Sequence, residues 1–170
     1  GFRRKQRANK VLKARNALIV EQREVIAKRS EEITESINYA RRLQEARLPG
    51  SNKFSSIFSS WHVLFRPKDI VSGDFYWLEE VDGLIYLAVA DCTGHGVPGA
   101  MVSMVGLQGL NEALFVRKLR APGDILEFLD RSVKDAFSQS GDRASDGMDL
   151  SLVCLDPTNG NLIFSGAYNP

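Results

Sequence analysis

The sequence predicts an α/β fold preceded by one long helix, and three stretches carry that prediction. Gly1 to Leu48 contains no proline, and no glycine after its first residue. It is rich in Arg, Lys, Glu, Gln and Ala, all strong helix formers. The run VSGDFYWLEEVDGLIYLAVADCTGHG, Val71 to Gly96, holds two apolar strands, Asp74–Val81 and Leu84–Asp91, joined by Asp82 and Gly83. An Asp-Gly pair suits a two-residue type I′ turn, in which both positions need positive φ. Beyond it lie two stretches of helical apolar spacing and then MDLSLVCLD, which alternates like a half-buried strand.

A helix over 1–48 extends about 70 Å, too long to be buried in a domain of this size. Its apolar residues recur at heptad spacing in two rows: Val11, Leu18 and Val25, and beside them Leu12, Ile19, Ile26 and Ile33, continued by Ile37, Ala40 and Leu43. This pattern predicts a coiled coil, most simply a parallel homodimer. Arg15, Gln22 and Arg29 lie near the seam and make it a marginal one. The competing reading is a single solvated helix docked along its own domain. Arg3, Arg4, Lys5, Arg7 and Lys10 form a basic cluster at the N-terminus. Such residues flank membrane spans on the cytoplasmic side, so Phe2–Lys10 reads as the cytoplasmic stub after a transmembrane helix. A plain solvated helix end accounts for the same residues.

Pro49 and Gly50 end the helix, and SNKFSSIFSS is expected to be a polar loop, 49–60, in which Phe54 and Ile57 pin the linker to the domain. WHVLFRP reads as the first sheet strand, stopped by Pro67. The hairpin register then follows by counting. With Val81 facing Leu84, Glu80 faces Ile85, Leu78 faces Leu87, and Asp74 faces Asp91. Two carboxylates thus oppose each other on one face of a sheet, roughly 5 Å apart at Cβ. Like charges so placed call for a raised pKa or a cation between them, and oxygen-only ligands indicate Mg2+ or Mn2+ rather than zinc. Taken singly, Asp74 could simply open a strand and Asp91 cap the following helix.

Pro98 fits the first turn of a helix running to about Lys118, with Met101, Met104, Val105, Leu107, Leu110, Leu114 and Phe115 as its core face. Pro122 opens a second helix, with Ile125, Leu126, Phe128, Leu129, Val133 and Phe137 at helical spacing. SQSGDRASDG is a flexible link, PTNG a turn and NLIFSGAYNP the start of a return strand.

VSGDFYW followed by ADCTGHGVPGA closely resembles the bacterial SpoIIE-type (RsbU-like) serine phosphatases of the metal-dependent protein phosphatase superfamily, relatives of protein phosphatase 2C. The resemblance runs from about Trp61 to the C-terminus, which makes 61–170 the N-terminal part of a phosphatase domain. It implies an αββα sandwich with a binuclear Mn2+ or Mg2+ site. Asp91 would be the catalytic bridging ligand, with Asp74 and the Cys92 backbone carbonyl as further ligands. A basic side chain before the first acidic motif commonly holds the substrate phosphate in this fold. Arg66 is the better candidate than Lys68, because its planar fork matches two phosphate oxygens. A solvated strand end is the alternative. The related phosphatases place a histidine two residues after the bridging Asp. His95 lies four after, so it reads as a capping or surface group. Asp146 and Asp149, in the DGMD strand start, read as structural.

The resemblance also implies that ligands of the second metal lie beyond Pro170 and that the chain is part of a longer protein. EITESINYARRLQEARLP looks like the linker that joins this enzyme type to upstream sensing or membrane modules. The expected function is hydrolysis of phosphoserine or phosphothreonine in a regulatory protein, as the cytoplasmic output domain of a bacterial sensor. The rival is a catalytically inactive dimerisation and relay module whose phosphatase-like domain binds a phosphoprotein. Among the two halves of a sandwich, a lone sheet exposes an edge and part of an apolar face.

Whole-chain properties set outer bounds. The 170 residues are 44% hydrophobic with a formal net charge of +1, suited to a globular core and not to nucleic-acid binding through bulk charge. Cys92 and Cys154 show no spacing for a disulfide framework or zinc site and read as buried thiols. No apolar run is expected to reach membrane-span length, and no signal-peptide core precedes the basic cluster.

Overall fold

The computed structural model describes residues 1–138 and 147–168. The expected flexible link falls on 139–146, and with it Asp146, outside the described residues. The chain divides into two compact units, Gly1–Tyr39 and Ala40–Pro170. The first is helix alone. It belongs to α1 (Phe2–Glu45), whose apolar residues Val11, Leu12, Leu18, Ile19, Val25, Ile26 and Ile33 are all exposed. The heptad rows are therefore uncovered in the single chain. Near the C-terminal end the expected row changes course. Leu43 is exposed, and Gln44 is the buried residue.

The second unit is built on one antiparallel sheet in the order β1-β2-β3-β4: β1 (Phe75–Val81), β2 (Leu84–Cys92), β3 (Met148–Asp156) and β4 (Asn161–Ala167). The β1–β2 turn is as the sequence predicts. Asp82 and Gly83 take φ of 55° and 77°, and Val81 pairs with Leu84, Leu78 with Leu87 and Phe75 with Ala90. Alternation then sorts the side chains by face. Phe75, Trp77, Tyr86, Ala88, Ala90, Leu150, Leu152 and Cys154 form the main core with α3 (Gly96–Asn111) and α4 (Pro122–Ser138). The result is α/β, one sheet with its helical layer, as expected for part of a sandwich.

Four local expectations change. SNKFSSIFSS is not a loop throughout: Ser51–Ile57 forms the short helix α2. Phe54, Ile57 and Phe58 recur at helical spacing and pack with Leu78 and Ile85 on the opposite face of the sheet, so the pinning role holds while the conformation differs. Lys53 adds an ion pair to Glu79 at 2.5 Å. WHVLFRP is not a strand. Its residues are held by ring contacts instead, Trp61 stacked on Phe54 at 5.0 Å and Phe65 edge-on to Tyr76 at 5.5 Å. In α3 and the turn that continues it, Val102, Leu107, Leu110 and Leu114 are buried, but Met101 is 61% exposed and Phe115 is also exposed, so neither belongs to the core. Finally, the apolar run Gly96–Val116 does reach membrane-span length, with mean hydropathy 1.2; 56% of it is buried inside the fold, as in the core helix of a packed domain.

α3 passes into a π-helical turn, Glu112–Val116, and Lys118 at φ 56° ends it. Trp77 Nε1 donates to Asn111 Oδ1 at 3.0 Å where the two meet. The β3–β4 turn is closed by the Asp156 carboxylate, which accepts from Thr158 N (2.9 Å), Thr158 Oγ1 (2.6 Å) and Asn159 Nδ2 (2.9 Å). The Thr158 hydroxyl and then its amide hold the Asp156 carboxyl below its ordinary range. A carboxylate depressed on folding stabilises the native state above its unfolded pKa, and that contribution is lost as pH falls through the lower folded value. Asp156→Ala is therefore expected to lower the thermal midpoint at neutral pH, with the difference from the unsubstituted chain vanishing in acid below the usual carboxylate range.

Candidate metal and phosphate site

The site is assembled where the hairpin's open end meets two tight backbone segments. Extending the register from Phe75–Ala90 by one step places Asp74 opposite Asp91, on the face away from α3 and α4. Burial first, then hydrogen bonding to Asp91 and its charge, raise the Asp74 carboxyl above its ordinary value. Two carboxyls opposed in this way offer oxygen donors that a hard divalent cation would stabilise.

Backbone supplies the rest of the wall. A Cβ on Gly73 would lie 3.0 Å from the Gly94 carbonyl oxygen and 3.1 Å from that of Cys92. A Cβ on Gly99 would lie 2.6 Å from the Gly94 oxygen. Gly94 and Gly96 take φ of 84° and 63°, which only glycine adopts without strain. The sequence TGHGVPGA thus lets the start of α3 close against the segment before Asp74, with the Cys92 carbonyl packed beside it. The Cys92 side chain points into the core, where burial, then the charges of Asp74 and Asp91, push its thiol up to about 12.

Asp74 and Asp91 lie at the junction of two depressions. One is a groove of about 620 Å³, lined by Phe54, His62–Arg66, Tyr76, Leu87 and Val89. The other is a cleft of about 210 Å³ that includes Lys68, Asp69, Gly73, Gly94 and His95. Arg66 is thus brought to the same groove as the acidic pair. Among the described residues its guanidinium has no hydrogen-bond or ion-pair partner. His95 stands at the N-cap position of α3 but makes no side-chain cap. Its Nδ1 pairs with Asp69 Oδ2 at 2.8 Å on the cleft wall.

Three features escape the sequence reading. Asp149 lies opposite Asp91 on β3, which extends the acidic row to a third strand. Its signal, the strand register of DLSLVCLD, is interpretable only once β3 is known to pair with β2. The Asp69–His95 pair joins loops far apart in sequence. Gln44, buried just before the end of α1, follows Ile33, Ile37 and Ala40 along one helical face, and that spacing was the available clue. Among the described residues no group of three or more His, Cys, Asp or Glu side chains gathers closely enough to hold a metal. The local donor set is the carboxylate pair and the neighbouring carbonyl.

Comparison with known proteins decides the family. Residues 82–170 match stage II sporulation protein E (SpoIIE). The chain belongs to the SpoIIE family. Among solved structures, the SiaA-PP2C domain of Pseudomonas aeruginosa is 33% identical, with a TM-score of 0.72, over 81% of this chain and 55% of that one. The SpoIIE-family chain therefore spans about half the length of that relative. Comparison with curated proteins gives no match. The fold described above is thus that of part of a phosphatase-type domain of the protein phosphatase 2C kind.

Cys92 of this SpoIIE-family domain is expected to resist alkylation by iodoacetamide at pH 8 in the folded chain, because the thiolate is scarcely populated, and to react on unfolding. Mass spectrometry of the alkylated peptide reads both states.

Proposed function

We propose that the protein is a metal-dependent serine/threonine protein phosphatase in which Asp74, Asp91 and the Cys92 carbonyl hold Mn2+ or Mg2+. The observation that carries this reading is the opposed Asp74–Asp91 pair, set at the mouth of a groove, in a chain of the SpoIIE family. When bound, the metal supplies Lewis acidity that lowers the pKa of a water and stabilises charge on the phosphoryl oxygens. Arg66 engages the phosphate from the groove with its planar fork and orients it toward the acidic pair. The glycine-lined wall keeps the carboxylates and the Cys92 carbonyl in fixed relation, so that little reorganisation accompanies cation binding.

The substrate class is a phosphoserine- or phosphothreonine-bearing regulatory protein. The exposed heptad rows of α1 support a parallel homodimer through a coiled coil, with the basic N-terminal cluster facing an upstream sensor or membrane module on the cytoplasmic side.

Asp91→Asn in the whole protein is expected to reduce turnover of a phosphoserine peptide by about two orders of magnitude or more, with an unchanged circular dichroism spectrum. Near-normal turnover would refute the ligand role. For the helix, sedimentation velocity on this chain is expected to show a dimer that Ile19→Asp with Ile26→Asp converts to monomer. An unsubstituted chain that sediments as monomer sinks the coiled-coil proposal.

A further inference from the structure

Among the described residues Gln44, Ser72 and Ser103 are buried polar residues, and they meet at one point, Ser72 through its backbone. Gln44 Nε2 donates to the Ser72 carbonyl oxygen at 2.6 Å and to Ser103 Oγ at 2.8 Å, while its Oε1 accepts from the Ser72 N–H at 3.0 Å. Ser103 Oγ in turn donates to the Ala100 carbonyl within α3 at 2.8 Å. The Gln44 amide therefore acts on residue 72 as a neighbouring strand would, satisfying both its donor and its acceptor. No side-chain polar atom buried among the described residues is left without a partner. The orientation of the amide is fixed by this pairing, since the reverse would set donor against donor and acceptor against acceptor.

What Gln44 holds matters more than that it is held. Ser72 precedes Gly73, whose α-carbon is closed in by the Cys92 and Gly94 carbonyls, and Gly73 precedes Asp74. On its C-terminal side Asp74 is fixed by the β1–β2 ladder. On its N-terminal side no ladder exists, because Val71–Gly73 is not a strand. A peptide segment buried without ladder partners needs another source of hydrogen bonds. Gln44 is that source, and through Ser103 it ties the same segment to the helix that follows Asp91.

We propose that Gln44 is a positioning residue for the metal-binding pair: its amide clamps residue 72 and thereby sets Asp74 against Asp91 and the Cys92 carbonyl. This rests on the metal-dependent reading above and adds to it a determinant from the helical linker, separated in sequence from every ligand. Removing the amide frees the Ser72 N–H and carbonyl to seek other partners, and Asp74 moves with them.

The test is calorimetric titration of Mn2+ into this chain, unsubstituted and with Gln44→Met, Ser103→Ala and Asp74→Asn, alongside hydrogen exchange at the Ser72 amide. Gln44→Met keeps length and volume while deleting the amide. It is expected to weaken Mn2+ binding by about 10- to 100-fold and to accelerate Ser72 exchange, with circular dichroism retained. Unchanged Mn2+ affinity in folded Gln44→Met, even with a lowered unfolding midpoint, means that Gln44 only supports the fold and overturns the inference. Should Gln44→Met fail to fold, Ser103→Ala decides by the same two readouts: weaker binding with faster exchange supports the clamp, and unchanged values overturn it. If the unsubstituted chain binds no Mn2+, or Asp74→Asn binds it as well as the unsubstituted chain does, the metal reading itself falls and the inference with it.

Discussion

Asp82 and Gly83 close the β1–β2 hairpin with positive φ at both positions, and with only two residues to make the turn every later pairing is determined. Arg120 braces the Asp82 carboxylate from Nη2 at 2.7 Å and Nε at 2.9 Å, while the Tyr86 hydroxyl donates to the Arg120 carbonyl at 3.1 Å. A slip of one residue would turn Asp91 into the helical layer and Ala90 out of it. Burial of Phe75, Trp77, Tyr86 and Ala90 and display of Asp74 and Asp91 are therefore one choice, made at the far end of the hairpin from the acids it positions.

The acidic end is unfavourable on its own terms. Asp74, Asp91 and Asp149 lie in one row across three strands, where like charges directly opposed destabilise a sheet. Close backbone packing holds the three in place. Gly73 and Gly99 bring carbonyl oxygens of Cys92 and Gly94 nearer than any Cβ would permit. The electrostatic arrangement thus favours a cation, and the steric arrangement leaves little freedom in where its ligands stand.

What the sequence disclosed tracks how local the cause was. The hairpin, its turn and the facing carboxylates were legible because Asp-Gly geometry and alternation act within a short span. MDLSLVCLD and the helix at Pro122 were legible for the same reason. Trp61–Pro67 was misread because its alternating residues are satisfied by rings of Phe54 and Tyr76, contacts that look like strand patterning from within. Met101 and Phe115 were misplaced because α3 is apolar on nearly all sides, so period alone does not say which residues face the sheet. Gln44, the Asp69–His95 pair and the placement of Asp149 depend on segments meeting across the fold, and no single stretch announces them.

The meander order of the sheet conceals a discontinuity in the chain. β1–β2 and β3–β4 are each closed by a short turn, but between Cys92 and Met148 the chain passes through both helices of the covering layer before β3 returns to pair with β2. Loop-closure entropy makes the two hairpins early events and their union a late one. The seam joined last is the one that sets Asp149 opposite Asp91. Asp74 and Asp91 already face each other within the first hairpin, so the late seam adds the third carboxylate to them, and the early intermediates are spared only its share of the repulsion.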